Sequence, residues 1–104
     1  MPRLLTKKEI EKRIANLDGW NYQKGFITKS FEFGRFLEGI RFVDQIATVA
    51  EEQEHHPDIH VRYTTVRLSL QTHSQEGVTV WDVELAEAID RLPVRGLVGG
   101  KKSR

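Results

Sequence analysis

The chain is 104 residues long, which is the size of one domain with a single core. It has no cysteine, so disulfides, zinc–thiolate sites and thiol nucleophiles are excluded. Sixteen basic against fifteen acidic residues leave a formal charge of +1, a poor basis for a nucleic-acid binder. No apolar run approaches the roughly 18 residues that cross a membrane, and the N-terminus has no signal-like h-region. A cytoplasmic protein with no membrane or nucleic-acid partner is expected.

Thr6 and Glu9 are spaced as a capping box, with Leu5 and Ile10 as the staple pair. Ile10, Ile14 and Leu17 form one apolar stripe, so a first helix is predicted to about Asp18 and to stop at Gly19. Trp20 and Tyr22 alternate with polar residues, and Lys24-Gly25 is a turn signal. Ile27, Phe31 and Phe33 then share a face that Lys29 interrupts, which predicts a hairpin from Trp20 to Phe33. From Phe36 the period becomes helical. Phe36, Ile40, Val43, Ala47 and Ala50 make the predicted core stripe of the longest helix, widened by Ile46 and Val49. Pro57 ends it.

Ile59, Val61 and Tyr63 alternate, as do Val66, Leu68 and Leu70, so two further strands are expected with Tyr63 as a core aromatic. A second capping box, Thr79 and Asp82, has Val78 and Val83 as its staple pair. The helix it opens buries Val83, Ala86 and Ile89, or alternatively Trp81, Leu85, Ala88 and Leu92. Pro93 follows it, and 96–104 is expected to be a flexible tail. The order α-β-β-α-β-β-α predicts a single α+β domain over 1–104, a four-stranded antiparallel sheet with three helices on one face.

A two-residue loop at Thr64-Thr65 would pair Tyr63 with Val66, Val61 with Leu68 and Ile59 with Leu70. The same register would set His56 opposite His73, with His55 beside them. Three imidazoles would gather at one corner, and imidazole ordinarily titrates near neutrality. A longer turn would move His73 and flip its face. His60 reads as an exposed strand histidine. Glu51 is one helical turn before His55 and could orient it, or it belongs with Glu52 and Glu54 to a solvated helix end. Asp82 reads first as a capping residue. A metal is the rival use of such a cluster, but adjacent His55 and His56 point in different directions on a regular element.

His55-His56-Pro57, Tyr63, His73 after Thr72, and Asp82, with Glu51 upstream, form an ordered pattern. Together with Asp18-Gly19-Trp20 and the Leu85-Ala86 to Ile89 segment, it resembles the pterin-4a-carbinolamine dehydratase family along nearly the whole chain. The resemblance implies the same α+β fold. It also implies dehydration of 4a-hydroxytetrahydropterin to quinonoid dihydropterin, a step in tetrahydrobiopterin recycling. It implies catalytic His55, His56 and His73, substrate-binding Glu54, Pro57 and Thr72, and supporting Glu51 and Asp82. No metal or organic cofactor is needed for that reaction. The implied partners are a small pterin and further copies of the chain, as dimer or tetramer. A non-catalytic dimeric binding module or transcriptional coregulator is the alternative. Two departures stand out: Trp81 and Gln71 replace Arg and Ser of some animal members.

Overall fold

The protein is described by a computed structural model covering residues 2–94 and 96–100. Thr6 caps helix α1 (Lys7–Ile14) in a complete capping box with Glu9. The helix is shorter than its stripe predicts. Residues beyond Ile14 continue as turns, with Leu17 N–H donating to the Ile14 carbonyl, and Gly19 takes φ 84°. Strand β1 (Asn21–Gln23) and strand β2 (Phe26–Phe33) form the predicted first hairpin. Its loop residues Lys24 and Gly25 both have positive φ, 53° and 86°, the backbone twist that a two-residue hairpin loop favours.

Helix α2 (Phe36–Gln53) buries Gly39, Phe42, Ile46 and Ala50. This corrects the predicted stripe, because Phe36 and Ala47 are exposed. Phe42 decides the helix phase: its ring packs 4.7 Å from that of Phe31 and 5.4 Å from that of Phe33. Burying so large an aromatic outweighs burying alanine. Gly39 lets the helix approach the sheet closely, since a Cβ there would stand 3.3 Å from Val66 Cγ2.

Strand β3 (Asp58–Arg62) and strand β4 (Thr65–Leu70) form the second hairpin, but not in the predicted register. Val61 pairs with Val66 and Ile59 with Leu68, and the loop is Tyr63-Thr64. Tyr63 takes φ 49° and is 74% exposed, so it is no core aromatic. The actual register still matches apolar with apolar, which is why the alternation could not discriminate between the two. Helix α3 (Val80–Asp90) follows a short 3-10 turn at His73–Gln75. It buries Val83, Leu85, Ala86 and Ile89, while Trp81 stays at the surface.

All strand pairings are antiparallel, in the order β1-β2-β4-β3. The expectation of four strands is extended by a fifth, β5 (Leu97–Gly100), which pairs with the second half of β2. Part of the expected tail is thus a strand, and 101–104 lie outside the described residues. The inward faces of β2 and β4 meet Ile10, Ile14, Phe42, Ile46, Leu85, Ala86 and Ile89 in one core. Lys29 points into that core and is only 2% exposed. Its ammonium pairs with Asp90 at 2.9 Å and lies 4.7 Å from the Phe31 ring centre. Asp90 also accepts from Trp20 Nε1 at 2.9 Å. The break in the strand pattern is therefore a buried lysine whose ammonium joins β2 to the partly exposed Asp90 at the end of α3.

Candidate active site

The site lies where the end of α2 meets the start of α3. Glu54 ends α2 in the left-handed conformation, φ 53°, and the His55 amide donates to the Ala50 carbonyl. Pro57 prevents the helix from resuming. This sharp exit sends the two adjacent histidines to different partners.

His55 has the buried side chain, 12% exposed, and its Nε2 lies 2.6 Å from Asp82 Oδ1. Asp82 itself is fully buried. Its Oδ2 accepts from the Thr79 amide and from the Thr72 hydroxyl, each at 2.9 Å. Thr72 Oγ1 and Thr79 Oγ1 are 2.7 Å apart. Because Thr72 donates its one proton to Asp82, Thr79 is the donor between the two hydroxyls. Thr79 Oγ1 in turn accepts from the Trp81 amide. Every partner of the Asp82 carboxylate is thus a donor, and the N-terminus of α3 adds its positive dipole end. Such an acceptor, bonded to Nε2, assigns the proton of a neutral His55 to that nitrogen and leaves Nδ1 free to accept one.

His56 is solvent-exposed and its Nε2 lies 2.6 Å from Glu51 Oε2. The expected Glu51–His55 pair is therefore corrected: Glu51 meets His56, and Asp82 meets His55. The left-handed Glu54 supplies the reason, because it takes His55 off the regular helix on which i and i+4 face each other. His73 opens the 3-10 turn and is exposed. The predicted opposition of His56 and His73 does not occur, since β3 and β4 pair two residues out of the expected register. Thr72, immediately before His73, ties that turn to the dyad through Asp82. Glu54 is exposed, Pro57 half-buried and Thr72 buried. His60 is exposed on β3, paired with Arg67.

His55 lines a surface hollow of about 230 Å³ with Gln53, Trp81 and Glu84. Trp81 stands edge-on to the imidazole, with ring centres 5.9 Å apart. A larger cavity of about 550 Å³, walled by Lys29, Phe31, Asp90 and Arg91 among others, has no histidine in its lining. Of these two, the smaller hollow is the one lined by an imidazole. Among the described residues, no group of three or more His, Asp or Glu side chains is placed to hold a metal ion. Sequence reasoning missed the Thr79 hydroxyl as a partner of Thr72, and Gln53 and Glu84 as walls. Contacts between residues of separate elements leave no local spacing to detect.

A model of the family described as Pterin 4 alpha carbinolamine dehydratase matches residues 3–92. A Sulfolobus acidocaldarius protein named "Putative pterin-4-alpha-carbinolamine dehydratase" is 42% identical over 88 residues, 85% of this chain and 97% of that protein. One of the same name from Aquifex aeolicus is 39% identical over 92 residues, 88% of this chain and 93% of that one. A transcriptional coactivator/pterin dehydratase of known structure from Brucella melitensis is 36% identical. It superposes with TM-score 0.81 over 85% of this chain and 96% of its own. A pterin dehydratase-like protein identified as a RuBisCO assembly factor in the alpha-carboxysome is 25% identical, with TM-score 0.60 over 71% of this chain and 88% of its own. The chain belongs to the pterin-4-alpha-carbinolamine dehydratase family.

Proposed function

We propose that this protein removes water from 4a-hydroxytetrahydropterin to give quinonoid dihydropterin, a step in tetrahydrobiopterin recycling that a separate two-electron reduction completes. The buried Asp82–His55 pair opening on a surface hollow carries this reading. The elimination delivers a proton to the 4a-hydroxyl and removes one from the adjacent ring nitrogen. The C–O bond breaks, and the nitrogen electron pair forms the new C=N bond. Each proton transfer by a positioned side chain is worth about 10²–10⁴-fold.

His55 is assigned one of these transfers through Nδ1, with Asp82 holding the ring and balancing the imidazolium. His73 is assigned the other, on the motif it shares with the family. His56, held by Glu51, positions the pterin with Glu54 and Pro57. Thr72 serves from behind, through Asp82. The expected working form is a homo-oligomer in the cytoplasm, and no cofactor enters the scheme. Steady-state dehydration of freshly generated carbinolamine tests the assignment. His55→Ala and His73→Ala are each expected to lower kcat by about 10²-fold or more. Near-normal kcat in both variants would reject it.

A binding role is the second reading, and the exposed Phe36 and Leu37 on α2 favour some association. Its mark is a wild-type chain that associates normally yet leaves the carbinolamine untouched.

A further inference from the structure

We propose that Trp81 is a stacking platform for the substrate, gripping a flat nitrogen heterocycle by its face beside His55. This rests on the dehydratase reading and deepens it, since it names how this chain selects its ligand. Trp81 is 39% exposed although it lies in the first turn of a helix that buries Val83, Leu85 and Ile89. Its indole is not among the side chains packed on the core. Its amide already serves the cap through Thr79, a bond that any residue but proline would make. The cap and the core therefore leave the choice of tryptophan unexplained. Its position does not: the ring stands edge-on to the imidazole of His55 and walls the same hollow. An exposed indole gives a broad π-face at little cost in conformational freedom, which suits an aromatic bicycle.

The other walls sharpen the class of ligand. Besides Trp81 and His55 the hollow is lined by Gln53 and Glu84, and no lysine or arginine takes part. Glu84 offers acceptor oxygens only, and Gln53 one acceptor and two donors. Such a set favours a neutral ring edged with N–H donors. It disfavours phosphorylated or carboxylate-bearing forms, which would meet the Glu84 charge without a fixed cation to offset it. An aminopyrimidine edge meets that description.

The experiment compares the full-length wild type with Trp81→Leu and Trp81→Phe. Dehydration kinetics are measured across pH, and 7,8-dihydrobiopterin, which lacks the departing hydroxyl, is titrated by calorimetry. Loss of the ring is expected to raise both KM and the dihydrobiopterin Kd roughly tenfold, the usual size of an aromatic contact. The kcat of Trp81→Leu is expected within about threefold of wild type with an unchanged pH profile, and Trp81→Phe is expected to recover most of the affinity. An unchanged KM and Kd in Trp81→Leu would overturn the proposal. So would a lowered kcat with a displaced pH profile at constant KM, because Trp81 would then act through His55. A wild type that binds dihydrobiopterin but does not dehydrate would refute the catalytic reading alone, and the ratio of Kd values would still decide the role of Trp81. A wild type that binds no pterin would refute both.

Discussion

Asp82 performs two tasks with two oxygens. Oδ2 closes the capping box with the Thr79 amide, and Oδ1 holds His55. Asp82→Asn keeps the shape but replaces an all-acceptor group with one that carries N–H donors. It is expected to lower kcat by about 10²–10⁴-fold while leaving the fold intact, which dehydration kinetics and circular dichroism would check. Thr79→Ala removes both the cap acceptor and the hydroxyl next to Thr72. A loss of about 1–2 kcal/mol in chemical unfolding is expected, with a smaller kinetic loss. At the other end of the chain, a bidentate bond from Arg3, together with the amide of Thr6, holds the Glu9 carboxyl down at about 2. A lowered folded-state value means that this group supports the fold above its unfolded value of 4.5 and ceases to do so as the pH falls through about 2. NMR titration of the full chain should find that midpoint, and Arg3→Ala should raise it towards 4.5.

Among the elements, the hairpins show how far local signals reach. The Lys24-Gly25 loop was legible because only residues tolerant of positive φ suit it, and glycine suits it best. Gly25→Ala would be strained at φ 86° and would bring a Cβ to 3.3 Å from Gln71 Nε2, which itself donates to the Gly25 carbonyl. Differential scanning calorimetry should find it destabilised by about 1–2 kcal/mol. The loop of the second hairpin lies one position before the expected Thr64-Thr65. Tyr63 is an unexpected residue for φ 49°, and the side-chain period of two tolerates a two-residue shift without exposing the core. That slip was enough to misplace the expected His56–His73 contact. Helix ends, by contrast, were legible wherever a capping box marked them, as at Thr6 and Thr79.

In the molecule as a whole, the far end of α3 is tied to the sheet by Lys29, Asp90 and Trp20. Asp90→Ala would leave a buried ammonium and an indole N–H without their acceptor. Thermal and urea unfolding should both report a loss of about 1–3 kcal/mol, below that of a fully buried pair because Asp90 is partly exposed. Lys29→Met, which removes the charge and keeps the stem, should cost much less. Among the described residues strand β3 ends the sheet with one edge unpaired, and Val61 on it is 36% exposed. Edges of this kind are covered by a second chain in many proteins. Sedimentation at micromolar concentration is accordingly expected to show a species heavier than the 12.0 kDa protomer.

The sequence by itself determined the α+β class, both capping boxes, the first hairpin and the family, because each is written in spacings of a few residues or in an ordered motif. Tertiary structure alone decided that Asp82 serves His55 and Glu51 serves His56, that Phe42 sets the phase of α2, and that β5 joins β2. These outcomes depend on competition between burial sites and on contacts between separate elements, as in the His55–Asp82 pair 27 residues apart, or on the path of the backbone at a helix exit, as in the Glu51–His56 pair. A linear pattern can name the candidates for such contacts, but only packing selects among them.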